Sequence, residues 1–227
     1  VNTKNADELA GLPSYLYRRA LLNPLPLWER EPRFTGIMAK ILYTAVTWPR
    51  CYVLYQLACN AARLPGSVAE VGVYQGGSAR ILTEVFSDVG KTVNLFDTFE
   101  GMPSVDASLD LHREGDFSDT SVEKVEKQLE GLDNFCIFKG LFPRSAEPVA
   151  SEQFCMAHVD VDIYTSVRDC CEFFYPNLVP GGVMVFDDYG EPTCPGARKA
   201  VDEFFADKAE TPIYIPTGQC FVHRLPE

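Results

Sequence analysis

Two stretches of this chain carry residues whose types and spacing can do chemistry. The first is Glu70-Val-Gly72-Val-Tyr74-Gln-Gly76-Gly77-Ser78, which follows the apolar start Val68-Ala69. A strand that runs into a glycine-rich turn and then a helix lets the backbone approach a ligand closely, beside the amides of a helix N-terminus. The spacing G-x-x-x-G-G departs from the G-x-G-x-x-G of dinucleotide sites, and a carboxylate at Glu70 would repel a pyrophosphate. A ligand bearing an ammonium and hydroxyls suits it better. Asp97, 25 residues after Gly72 at the end of the next apolar run, is placed to accept hydrogen bonds from ribose hydroxyls.

The second stretch supplies carboxylates. Asp160 and Asp162 follow the run ending His158-Val159, and Asp187-Asp188 follow Gly182-Val-Met-Val-Phe186. If these runs are neighbouring strands, their C-terminal ends open on one crevice, and Asp160, Asp187 and Asp188 converge there. Hard oxygen ligands suit Mg²⁺, with Ca²⁺ and Mn²⁺ as alternatives. Asp162 either shares that side or caps the next helix. Acids at strand ends are often just solvated loops. Here an apolar strand ends in two adjacent charges, which favours a metal site.

These residues need a parallel sheet to bring them together. From Ser67 onward short apolar runs alternate with helix-period segments, the pattern of a doubly wound α/β fold. Strands are expected over 68–73, 92–97, 135–139, 154–160 and 182–187. Helices are expected after Ser78, after a capping box at Thr120–Glu123, over 166–175 and over 196–206. The end, Pro212–Ile215, Thr217-Gly218 and Gln219–His223, reads as an antiparallel hairpin, which completes seven strands. Residues 1–66, broken by prolines at 13, 24, 26, 32 and 49, form a helical extension with helices over 14–22 and 36–45 and a clearer one from Val53 to Leu64. Residues 67–227 form the core, and the whole reads as one domain.

Composition narrows the function. The chain has 227 residues, 46% of them hydrophobic, and a net charge of −12, so nucleic acid and anionic membranes are disfavoured partners. The pattern contains neither a membrane span nor a secretory signal, which implies a cytoplasmic protein. The eight cysteines form no C-x-x-C pair and read as buried thiols. An exposed apolar face on the N-terminal helices would imply a homodimer.

The ordered motifs Glu70–Ser78, Phe96-Asp97-Thr98-Phe99-Glu100-Gly101-Met102-Pro103, Gly115-Asp116-Phe117-Ser118, Val159–Ser166, Tyr175-Pro176 with Gly181-Gly182, and Asp187-Asp188-Tyr189 resemble the macrocin O-methyltransferase (TylF-like) family over roughly 67–205. The resemblance implies a Rossmann-like methyltransferase that uses S-adenosyl-L-methionine and Mg²⁺ to methylate a hydroxyl, often on a sugar of a natural product. By position, Glu70, Gly72, Tyr74, Gly76 and Ser78 would hold the methionine end, Asp97 and Thr98 the ribose, Asp116 and Ser118 the adenine, and Asp160, Asp187 and Asp188 the metal. Two departures stand out: Asp160-Val161-Asp162 where the family usually has Asp-Gly-Asp, and His158 before it. Ile163 stands where related catechol-type enzymes carry a lysine, so a lysine base there is excluded.

For the proton of the acceptor hydroxyl, Asp160 is the first candidate, with His158 and His112 behind it. The competing readings are a catechol-like phenol as acceptor, with Tyr15, Tyr17, Trp28 and Trp48 as pocket walls, an NAD(P)-dependent oxidoreductase, and a cofactor-binding protein without activity.

Overall fold

A computed structural model describes residues 27–226. The expected helix at 14–22 and the side chains of Tyr15 and Tyr17 lie outside that range. In chain order the elements are α1 (Pro32–Met38), α2 (Trp48–Ala61), β1 (Ser67–Val71), α3 (Gly77–Ser87), β2 (Val93–Asp97), α4 (Val122–Gln128), β3 (Phe135–Lys139), β4 (Phe154–Val159), α5 (Tyr164–Phe174), β5 (Leu178–Phe186), α6 (Pro195–Phe205), β6 (Ile213–Tyr214) and β7 (Cys220–His223).

The seven strands form one sheet in the order β3-β2-β1-β4-β5-β7-β6. The strands β1 to β5 run parallel, and β7 pairs antiparallel with both β5 and β6. The chain steps outward from β1 to β2 and β3, then returns to place β4 on the other side of β1. That reversal opens a crevice at the C-terminal ends of β1 and β4, where ligands bind in doubly wound sheets.

Both faces of the sheet are covered, which is why its strands read as continuous apolar runs. On one face Val68, Leu95, Met156 and Val185 pack with Leu54 and Ala58 of α2 and with Ile81, Leu82 and Phe86 of α3. On the other, Ala69, Phe96, Ala157 and Phe186 pack with Phe174 of α5 and Val201 and Phe205 of α6. The alternation from one face to the other follows the period of two along each strand. A fully buried side chain such as Phe86 or Phe174 contributes roughly 1.5–3 kcal/mol by leaving water.

Several boundaries differ from the sequence expectations for local reasons. The helix expected over 36–45 lies instead at α1, started by Pro32 in its first turn and capped by Glu31, which accepts from the Arg33 N–H at 3.3 Å. Ser78 does not cap α3. Gly76 does, in a left-handed conformation (φ +83°) that glycine adopts without steric cost. The cap of α4 is Ser121, one residue beyond the expected Thr120; it accepts from the Lys124 N–H at 3.3 Å, while the Thr120 hydroxyl donates to the Tyr74 carbonyl. Strand β5 begins at Leu178 rather than Gly182.

Candidate active site

The crevice is a cavity of about 490 Å³ walled by the glycine turn, the ends of β2, β4 and β5, and the loop between β2 and α4. Its geometry starts at Gly72. A Cβ there would lie 1.7 Å from the Asp160 carbonyl oxygen, and φ is +85°, so only glycine lets the exit of β1 pass this close to the exit of β4. The Asp160 N–H donates to the Val71 carbonyl at 3.0 Å, which extends the pairing of β1 and β4 to the first acid. Gly77 has a similar task, since a Cβ would sit 2.5 Å from that of Thr44. The segment before α2 thereby closes over the start of α3.

Asp97 organises the turn. Its Oδ2 accepts from the N–H groups of Val73 and Tyr74, both at 2.8 Å, and its Oδ1 from Phe99 N–H at 2.7 Å. The carboxylate still lines the cavity beside Thr98, and an ionised carboxylate has acceptor capacity beyond these three bonds. Tyr74, itself left-handed at φ 49°, donates its hydroxyl to Asp119 at 2.8 Å and packs edge-on against Phe117 at 5.5 Å between ring centres. These contacts fold the loop from Thr98 to Ser121 over the crevice.

Asp160, Asp187 and Asp188 meet at the far side, each with an oxygen within 4.8 Å of the others. Burial, then the charge of Asp187, holds the Asp160 carboxyl well above its ordinary pKa. Burial followed by Asp162 and Asp160 does the same to Asp188. Asp187 moves the other way. Burial raises it, but His158, Arg50 and Gln219 outweigh that and lower its pKa. Arg50 reaches in from α2 and donates to Asp187 Oδ2 at 2.9 Å, while Gln219 donates to Oδ1 at 2.7 Å. Arg50 is held in turn by Glu191 and by the Thr217 carbonyl. Three carboxylates with oxygens this close are an all-oxygen donor set that fits Mg²⁺. The Gly72 cradle and the Asp97 carboxylate fit a nucleoside bearing an amino acid.

The other expected site residues divide. Gly72, Tyr74, Ser78, Asp97, Thr98, Asp160, Asp187 and Asp188 line the cavity; Glu70, Gly76, Asp116, Ser118 and His158 do not. Glu70 and His158 lie beneath it, fully buried, with His158 Nδ1 2.8 Å from Glu70 Oε1. The His158 ring has no face on the cavity, whereas Asp160, the first candidate for the acceptor proton, lines it. Glu70 likewise lies below the turn and outside the cavity lining. Gly76 serves as the α3 cap, packed toward Gln128. Asp116 accepts from the Arg113 N–H at 2.9 Å and faces His112, so Phe117 between Asp116 and Ser118 is the residue that reaches the cavity.

Asp162 is not a helix cap. Asp110 accepts from the Tyr164 N–H at 2.9 Å at the start of α5, whereas Asp162 turns into the cavity in a left-handed conformation (φ 59°). Its own N–H donates to Asp188 Oδ2 at 2.9 Å. Arg50 and Gln219 have no signal in the local sequence. Arg50 comes from the proline-marked start of α2, and only the fold brings it to acids 137 residues away.

The chain is similar to known proteins over most of its length. A family model described as macrocin O-methyltransferase (TylF) matches residues 44–218. The mycinamicin III 3''-O-methyltransferase of Micromonospora griseorubida is 31% identical over 182 residues, covering 72% of this chain and 70% of that protein. A tetracenomycin-C 4'-O-methyltransferase of Streptomyces olivaceus, named for a dimethoxy-rhamnosyl substrate, is 30% identical over 62% of this chain and 58% of its own length. Among solved structures, that of the O-methyltransferase NovP superposes with a TM-score of 0.67 at 26% identity, covering 78% of this chain and 80% of that one. The glycine turn, the strand-end acids and the seven-stranded sheet thus occur in a chain that belongs to the macrocin O-methyltransferase (TylF) family.

Proposed function

We propose that the protein transfers a methyl group from S-adenosylmethionine to a hydroxyl on the sugar of a small natural product, with Mg²⁺ held by Asp160, Asp187 and Asp188. The observation that carries this reading is the convergence of three carboxylate oxygens within 4.8 Å in the cavity that also contains Asp97 and the glycine turn. Like charges this close, two of them buried, call for a cation. The names of the relatives, one acting on mycinamicin III and one on a rhamnosyl-tetracenomycin, support a glycosylated acceptor. A cytoplasmic setting suits the eight unpaired cysteines.

S-adenosylmethionine supplies a methyl on a sulfonium already activated toward in-line displacement, and Mg²⁺ supplies charge that makes an acceptor hydroxyl more acidic. Asp97 and Thr98 hold the ribose, while the α3 N-terminus with Ser78 receives the carboxylate of the methionine end. Met102, Phe117 and Phe142, all on the cavity wall, form the apolar seat for the adenine. Asp160 receives the hydroxyl proton. Arg50 and Gln219 fix both oxygens of Asp187 and so set the direction in which its remaining lone pairs face. Holding the hydroxyl near the methyl replaces a bimolecular encounter by a positioned one, the larger part of what such a site has to supply.

Calorimetric titration with S-adenosylhomocysteine, in Mg²⁺ and then in EDTA, tests the cofactor, with NAD⁺ as the control. Binding of the homocysteine nucleoside without NAD⁺ binding is expected; the reverse would sink the reading. Methyl transfer to glycosylated acceptors is expected to stop in EDTA and in Asp160→Asn. Transfer that survives both removes the metal and Asp160 from the mechanism, and transfer to catechols alone moves the acceptor to a phenol.

A further inference from the structure

On the loop side of the same cavity, three side chains that methyl transfer does not use come together. His112 Nε2 lies 3.6 Å from Cys194 Sγ and 3.7 Å from Asp162 Oδ1, and Cys194 Sγ lies 3.4 Å from Asp162 Oδ1. They come from separate places: the loop between β2 and α4, the turn after β4, and the residue before α6. We propose that His112, Asp162 and Cys194 form a second metal site that takes a borderline dication such as Zn²⁺ in preference to Mg²⁺, with its fourth position open to the cavity.

The triangle has the right size. Ligand atoms at about 2.0–2.3 Å from a tetrahedral Zn²⁺ stand about 3.3–3.7 Å apart, and all three separations fall there. The imidazole is also aimed. His112 Nδ1 lies 3.3 Å from Asp116 Oδ2, and Asp116 is itself fixed by the Arg113 N–H. A carboxylate on Nδ1 leaves the Nε2 lone pair directed at the other two ligands, the arrangement usual for metal-bound histidine. Asp162 is turned toward the triangle by its left-handed backbone and by the bond from its N–H to Asp188.

The ligand types select the ion. One thiolate, one imidazole and one carboxylate suit Zn²⁺ and its neighbours, whereas Mg²⁺ demands oxygen. The all-carboxylate set of Asp160, Asp187 and Asp188 has the opposite preference, so the two sites sort two kinds of cation within one cavity. Without an ion, the Cys194 thiol donates to Asp162. On binding, that proton passes to solvent water and the thiolate sulfur bonds the ion, with no change of oxidation state. Three protein ligands and one open position are the pattern of a zinc site that also contacts a small molecule. All three residues line the cavity, so that molecule would be water or the acceptor.

Co²⁺, a spectroscopic substitute for Zn²⁺, provides the test without any substrate. In excess Mg²⁺, which fills the carboxylate site, one equivalent of Co²⁺ is expected to produce a near-ultraviolet thiolate-to-cobalt charge-transfer band and the intense visible bands of tetrahedral geometry. Zn²⁺ should bleach both. Cys194→Ser should abolish the ultraviolet band, and His112→Gln should weaken Co²⁺ binding at least tenfold. Cys136→Ser, at the exposed cysteine, should leave the spectrum intact. His112 sits on a surface loop, so its variant decides the matter if Cys194→Ser fails to fold. Absence of a thiolate band at saturating Co²⁺, its survival in Cys194→Ser, undiminished affinity in His112→Gln, or its loss in Cys136→Ser overturns the site. Binding of S-adenosylhomocysteine is read independently, so failure here leaves the methyltransferase reading standing.

Discussion

Glu70 and His158 stand opposite each other in the register of β1 and β4, 2.8 Å apart from Oε1 to Nδ1, and neither is exposed. The other ring nitrogen faces Asp187 Oδ1 at 3.7 Å, an ion pair rather than a hydrogen bond. Burial works against a charged ring, but Asp187 and Glu70 outweigh it and hold the histidine well above its ordinary pKa. The ring thus lies beneath the acids, between the carboxyl groups of Glu70 and Asp187. Removing it in His158→Leu leaves Glu70 buried without a partner, which costs about 3–5 kcal/mol. In urea denaturation at neutral pH, the double variant with Glu70→Gln should be more stable than His158→Leu alone. Equal stabilities would show that the stranded carboxylate is not the cause.

That pairing is not among the sequence expectations, which give Glu70 to the cofactor and His158 to the acceptor, although the residue order agrees with it. Glu70 precedes Gly72 by two residues and His158 precedes Asp160 by two, so equal distances from the two strand exits put them side by side. The acids are legible because a strand end is a fixed address in a parallel sheet. Arg50 and Gln219 are not, because side chains that cross between distant elements leave no local pattern. The loop from Thr98 to Ser121 is half legible. Its motif marks the right segment, but which of Asp116, Phe117 and Ser118 turns inward depends on Phe117 taking a left-handed conformation, φ 61°, which the residue type disfavours.

Crowded carboxylates make the metal site a source of instability when no cation is bound. The folded-state pKa values of Asp160 and Asp188 are raised, so the stability their protonation contributes is fully present below about pH 4, the ordinary aspartate value, and is lost as pH rises through the folded values. In EDTA, the share of thermal stability contributed by these two acids should therefore fall as pH rises through their folded values, seen as a growing deficit of the wild type against Asp188→Asn, and Mg²⁺ should offset it. Asp188→Asn keeps an acceptor for the Asp162 N–H and removes one charge. It should be more stable than the wild type in EDTA at pH 8, because burial and the neighbouring acids disfavour the charged Asp188 carboxylate, and should lose the response to Mg²⁺. A variant no more stable in EDTA would contradict the charge argument.

Gly72 tests how the turn is built. Alanine there would combine a left-handed backbone, costing about 1–2 kcal/mol, with a Cβ overlapping the Asp160 carbonyl, and overpacking adds about 1–3 kcal/mol. Gly72→Ala should destabilise by about 2–5 kcal/mol and weaken S-adenosylhomocysteine binding. Gly90 is also left-handed (φ +65°), but nothing lies within 4 Å of a Cβ built on it. Gly90→Ala should therefore show only the backbone cost and leave ligand binding unchanged. Similar losses at both positions would mean that close approach of the strands at Gly72 is unimportant.

Glu210 ties Arg224 and Leu225 to Tyr175 just before β5, outside the cavity lining. It is buried and accepts from the Tyr175 hydroxyl at 2.6 Å, Arg224 Nη1 at 3.0 Å and the Leu225 N–H at 3.1 Å. Burial pushes its pKa up, but the bonds from Tyr175, Leu225 and Arg224 prevail and lower it. A lowered carboxylate pKa stabilises the fold above the ordinary glutamate value, about 4.3, and that contribution is lost as pH falls through the folded value. Glu210→Gln exchanges one acceptor for a donor facing other donors and should cost about 1.5–3 kcal/mol between about pH 6 and 8. The gap to the wild type should narrow below about pH 4, because the wild-type carboxyl then takes up a proton and loses the same charge-assisted bonds. A gap in urea denaturation that stays constant down to about pH 3 would mean that the bonds at Glu210 do not depend on its charge.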